Sequence, residues 1–157
     1  MKTTMNFFKI LTMALILCVS CSKNDDGDTP PVNNLEKSLI GTWKQMKFVV
    51  GCSSGSDEVS NSTACEQQGR LTIKSDGTFS ETYYYDYGMG CEEEDIEMGS
   101  WRIYNNKLFV TDDYFGEYEV TYFEVTQNVL RVGQYDTDYP CDSGGNSTHY
   151  YYEYTRI

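Results

Sequence analysis

From Leu35 to Ile157 the chain is written largely in a two-residue period, which points it towards an all-β fold. Leu71 and Ile73 alternate with polar neighbours, as do Tyr118, Val120 and Tyr122, and then Leu130 and Val132. Alternate residues of an extended chain share one face, so each run offers one face to a core and one to water. Eight candidate strands follow, roughly 42–50, 70–74, 78–87, 96–104, 107–111, 118–125, 129–135 and 148–157. Asp76-Gly77 and Asn105-Asn106 are tight-turn dipeptides, with Gln127-Asn128 a third candidate. Leu35 to Leu39 has the length of one helical turn, and no amphipathic helix is written elsewhere in the span. The phase slips between Met98 and Trp101, which suggests a bulge near Gly99, and slips again near Phe123. On the first strand two facings stay open: Trp43, Gln45, Lys47 and Val49 inward, or Met46, Phe48 and Val50.

Short strands joined by short connections predict an eight-stranded antiparallel up-and-down barrel, which closes on itself and leaves no free sheet edge. In such a meander the tight turns share one end. The longer loops, 51–69, 88–95, 112–117 and 136–147, share the other. Cys52, Cys65, Cys91 and Cys141 all fall in that second set, and four cysteines allow three pairings. A hairpin folded at Asp76-Gly77 brings Cys65 to Cys91. Closure of the first strand on the last brings Cys52 to Cys141. The spacings do not match a zinc site, no EF-hand is present, and neither metal nor cofactor is expected.

The N-terminus carries Lys2 and Lys9 ahead of a short apolar core, Ile10 to Val19, too brief to span a bilayer. Leu17-Cys18-Val19-Ser20-Cys21 then resembles the lipobox of bacterial lipoproteins, with Cys18 where leucine is usual. That resemblance implies cleavage after Ser20 and a lipid on Cys21. The chain therefore divides into a signal peptide, 1–20, a lipidated disordered tether, 21–34, and a barrel domain, 35–157. Lys23-Asn24-Asp25-Asp26 resembles the acidic signals that send some lipoproteins to the cell exterior; a solvated linker is the other reading. The expected location is the bacterial outer membrane, on its cell-surface or periplasmic side. Loss of Lys2 and Lys9 moves the net charge from −12 to −14, which argues against nucleic acid as a partner.

Gly41-Thr42-Trp43 resembles the G-x-W start of lipocalins. With Leu71-Thr72-Ile73, Asp76-Gly77-Thr78-Phe79 and Gly99-Ser100-Trp101, the pattern is similar to bacterial lipocalin-like domains. The resemblance implies a ligand site inside the barrel, with Trp43, Tyr83, Tyr85 and Trp101 as candidate cavity residues and position 120 unassigned. It also implies an arginine over Trp43, for which Arg156 is the candidate. The four long loops hold 13 of the 24 acidic residues and neither lysine nor arginine. They read first as the solvated loops of a soluble lipoprotein, then as a field that admits cationic or neutral ligands and repels anions, and last as carboxylates for a divalent cation. His149, the only histidine, begins a strand beside Tyr150, and no motif for catalysis accompanies it, so no enzyme activity is expected. The 14 tyrosines cluster as Tyr83-Tyr84-Tyr85, Tyr87 and Tyr150-Tyr151-Tyr152, Tyr154, placing rings on both sides of the wall. Two functions follow: a monomeric carrier of a small hydrophobic or amphipathic ligand, or a barrel packed solid that contacts proteins or glycans. Interior volume separates them.

Overall fold

Alternating side chains bury one face only when the sheet wraps around a common core, and the computed structural model shows that wrapping. It describes residues 34–157 except 137, 139 and 143; Cys21, the signal segment and the tether up to residue 33 lie outside the described residues. A short helix, α1 (Asn34–Leu39), precedes ten strands. These are β1 (Gly41–Cys52), β2 (Glu58–Asn61), β3 (Arg70–Ile73), β4 (Thr78–Asp86) and β5 (Cys91–Tyr104). They continue with β6 (Lys107–Asp112), β7 (Gly116–Val120), β8 (Tyr122–Val125), β9 (Val129–Gln134) and β10 (Ser147–Arg156).

The strands run β7-β6-β5-β4-β3-β1-β10-β9-β8, all neighbours antiparallel, with β2 added beside β1. The first and last long strands pair, Trp43 opposite Arg156 and Val50 opposite Tyr150, as closure requires. Ten strands stand where eight were expected, for two physical reasons. The strand expected at 118–125 breaks at Thr121, so β7 pairs with β6 while β8 pairs with β9. The wall turns that corner on the Gln134 side chain. Its carbonyl accepts from the Thr121 N–H (3.2 Å) and hydroxyl (2.6 Å), and its amide donates to the Glu119 carbonyl (3.2 Å). The tenth strand, β2, comes from the long loop after β1 and runs beside Val49.

The open question on β1 has a mixed answer. A bulge between Gln45 and Lys47 switches the phase, so Gln45 and then Phe48 both reach the interior. The bulge expected near Gly99 lies elsewhere, at Glu94, where Tyr83 pairs with Asp95 but Tyr84 with Glu93. From Asp95 onward β5 keeps one register, with Glu97 and Trp101 inward and Met98 outward. Gly99 is needed for space: a Cβ there would come within 2.5 Å of the Phe79 ring. The segment expected as a loop at 88–95 is also mostly strand, since β5 starts at Cys91.

The tight turns form as read. Asn105 and Asn106 both take positive φ, the geometry that matches the twist of a two-residue hairpin. The closed end of the barrel is sealed by α1 and a core of Leu39, Trp43, Leu130 and their neighbours. The opposite end is held by two disulfides, Cys52–Cys141 and Cys65–Cys91, the pairs that the meander predicts.

The first disulfide spans 89 residues and the second 26. By chain entropy they contribute about 4–5 and about 3–4 kcal/mol respectively. Replacing both cysteines of a pair by alanine should therefore cost more stability for 52/141 than for 65/91. Buried Cys52 and Cys141 add lost packing to the difference. Urea unfolding of the two double variants measures this; a reversed order would show that the rim is not held by loop closure.

Candidate functional site

The inward faces of the strands do not meet at the barrel axis. They leave a cavity of about 810 Å³. Around it β4 contributes Phe79, Glu81, Tyr83 and Tyr85 at alternate positions, and β5 contributes Glu97 and Trp101. Leu71 and Ile73, Leu108 and Val110, and Tyr118 and Val120 line it from β3, β6 and β7. Tyr150, Tyr152 and Tyr154 enter from β10, with Phe48 of β1 tilted against Tyr152 at 4.8 Å between ring centroids. Phe115, 83% exposed in the β6–β7 turn, also borders the space.

Of the candidate cavity residues, Tyr83, Tyr85 and Trp101 line this space, and so does Val120, the unassigned position. Trp43 does not. It is fully buried in the core, its indole N–H donating to the Leu39 carbonyl at 2.9 Å. Arg156 occupies the place the family resemblance implied, its guanidinium carbon 4.0 Å from the Trp43 ring centroid. The same guanidinium donates to the carbonyls of Ser38, Ile40 and Gln127, so it ties β10 to α1 and to the β8–β9 turn.

Outside the wall the aromatic rings serve the sheet. Tyr122 stacks on His149 and on Tyr151, each at 4.8 Å, and the Tyr122–Tyr151 contact bridges Gly133 between them in the ladder. A cross-strand row of charge, Lys47–Glu153–Arg131–Glu124, runs over the same face at 3.2, 2.8 and 2.9 Å. His149 is thus a member of an outer aromatic stack rather than of the cavity wall.

The chemistry of the interior lies in a cluster the sequence reading missed. Glu81 and Glu97 stand directly opposite on β4 and β5. The Tyr83 hydroxyl lies between them, 3.0 Å from Glu81 Oε2 and 2.9 Å from Glu97 Oε2. Tyr154 reaches across from β10 to donate to Glu81 Oε1 at 2.9 Å. A phenol has one proton and can donate to only one of two carboxylates. Satisfying both contacts requires a further proton on a carboxyl, and Glu81 is the group disposed to hold it. Burial pushes its carboxyl up to about 7; hydrogen bonds from Tyr154 and Tyr83 oppose the rise and the Glu97 charge adds to it. Burial and the two glutamates likewise hold the Tyr83 phenol far above the usual tyrosine range. The resulting relay runs from Tyr154 to Glu81, from protonated Glu81 to Tyr83, and from Tyr83 to Glu97.

Residues 39–132 match the sequence model of a family described as a lipocalin-like domain. Among solved structures, a lipocalin-like protein from Bacteroides uniformis aligns at 13% identity and a TM-score of 0.44, over 76% of this chain and 99% of that one. An uncharacterized protein from Bacteroides eggerthii aligns at 11% identity and 0.44, over 75% and 98%. No curated protein matches the chain.

Glu81 gives a pH prediction. The folded protein keeps this proton up to about pH 7, whereas the unfolded chain releases it near 4.5. Between those values the native state binds more protons, so this group's contribution to stability falls as pH rises. The loss is roughly 3 kcal/mol once pH exceeds 7. Glu81→Gln keeps an acceptor for Tyr154 and a donor for Tyr83 without that titration. Its stability relative to the parent should rise by about 2–3 kcal/mol from pH 4.5 to pH 8, read by urea unfolding at each pH. A difference that stays flat with pH would remove the proton from the relay.

Proposed function

The chain belongs to the lipocalin-like domain family, and on that premise we propose that it is a lipid-anchored bacterial envelope protein whose barrel carries a small hydrophobic or amphipathic ligand. The observation that carries this reading is the cavity. Its volume, about 810 Å³, falls within the roughly 300–1,000 Å³ of small-molecule sites. Its walls combine apolar rings and aliphatic chains with a few converging polar groups, which is how such sites obtain both affinity and orientation. An interior left open at this size favours a carrier over a module packed solid. Carriage without catalysis fits the remote position of His149.

The anchor is the proposed lipid on Cys21. The described residues begin with α1, which belongs to the sealed end. The cavity mouth then faces away from the membrane, on the cell-surface or periplasmic side. The acidic loops around that mouth make nucleic acid an unsuitable partner, and a single barrel with an internal site functions as a monomer.

Two experiments test the reading. Native mass spectrometry of protein extracted gently from its own cells should show an added mass that denaturation removes. Val110→Trp, which places an indole in the cavity, should abolish that mass; clean ligand-free protein from the unaltered chain would defeat the carrier. Separately, Cys21→Ser should move the protein from the membrane fraction to the soluble one. Its retention in the membrane fraction would defeat the anchor.

A further inference from the structure

The cavity is negatively charged within as well as at its rim. Glu66, Glu81 and Glu97 all border it, and among the described residues that line it there is no lysine, arginine or histidine. The ten or so aromatic rings around them include Phe48, Phe79, Trp101 and Tyr118, whose faces carry the negative side of the ring quadrupole. Lys47 of β1 and Arg131 of β9 are committed to ion pairs in the charge row that also holds Glu153. An anionic amphiphile such as a fatty acid would have to place its carboxylate here without a cationic partner, a costly burial.

The glutamate pair also states what it lacks. With Glu81 and Glu97 both ionised, the single Tyr83 proton leaves one oxygen–oxygen contact without a hydrogen between its atoms. Either the protein supplies a proton there or the occupant does. Resting on the carrier reading above, we propose that the ligand is an organic ammonium, a protonated amine on an apolar body, with its N–H donors at Glu81 and Glu97 and its body among the aromatic walls. The ammonium brings the missing donors and the compensating charge at once, and ring faces favour a cation further. On docking, the ammonium takes the place of the Glu81 proton, which leaves to solvent. Amine affinity therefore rises with pH through the titration of Glu81, because less proton must then be expelled. The titratable groups that face Glu81 are Tyr83 on its own strand, Glu97 of β5 and Tyr154 of β10. Glu66, Tyr118, Tyr150 and Tyr152 border the same cavity.

The test uses three probes of one chain length below their micellar concentrations: decylamine hydrochloride, decanol and sodium decanoate. Each competes with the neutral fluorophore N-phenyl-1-naphthylamine on the intact barrel at pH 7.5. Decylamine should bind at least tenfold tighter than decanol, with decanoate weakest. In Glu81→Gln/Glu97→Gln that preference should collapse to within about threefold, and Glu97→Gln alone provides the same reading if the double variant does not fold. Between pH 5.5 and 7.5 the decylamine affinity should climb while the decanol affinity does not. Equal binding of the three probes, or tighter decanoate, overturns the ammonium inference and leaves the carrier standing. Failure of every probe and of the fluorophore to bind overturns the carrier and this inference with it.

Discussion

The barrel depends on one contact between its first and last strands, the Arg156 guanidinium over the Trp43 indole. Residues on the first and last strands meet there, so the contact exists only when β1 and β10 have paired. Arginine suits it because a planar cation can stack on a ring and still aim several N–H donors outward in its own plane. Those donors satisfy carbonyls at Ser38, Ile40 and Gln127, which would otherwise end in a helix terminus, a connection and a turn. Gly41 is part of the same device. Its φ of +150° and the 2.3 Å that would separate a Cβ from Arg156 Nη1 leave room only for glycine. The spacing Gly41-x-Trp43 thus has a physical basis: one residue clears the space that the arginine needs, and the other supplies the surface it rests on.

Tyrosine has two roles because it is placed on both parities of the strands. Outward rings cover backbone that lacks side chains, as Tyr122 and Tyr151 do beside Gly133. Inward rings line an open space and bring hydroxyls to its depth. Only inside does the hydroxyl change the chemistry, because a donor near a buried carboxylate is strong where water cannot compete. Phenylalanine at 83 or 154 would keep most of the apolar wall and lose the relay.

Much of this was legible from the sequence, and the parts that were not have identifiable causes. Period and turn dipeptides placed the strands, and cysteines confined to one end of a meander sufficed for both disulfides. The interior acids were readable too, since Glu81 shares parity with Phe79 and Tyr83. They were missed because carboxylates are so abundant that a buried one does not stand out. Misplacing the β5 bulge at Gly99 rather than Glu94 also broke the parity that links Glu97 to Trp101. The break at Thr121 depends on a side chain thirteen residues away, Gln134, standing in for a ladder partner. No local period encodes such a substitution. Trp43 was assigned to the cavity because strand parity says inward without saying how deep; α1 sealing that end decides the depth.

The two ends of the barrel solve the same problem by different physics, and the cavity follows from the difference. At the sealed end Leu39, Trp43 and Leu130 reach zero exposure, and close packing supplies the stability. An interior left open cannot supply it in that way, because the residues around a void lose contacts they would otherwise make. At the mouth, covalent closure takes over that role. Cys52–Cys141 ties the loop after β1 to the loop before β10, and Cys65–Cys91 ties the approach to β3 to the start of β5. Both act chiefly by restricting the unfolded chain, so they ask nothing of the space between the strands. A mouth held by sulfur rather than by packing can stay open, with exposed acids around it.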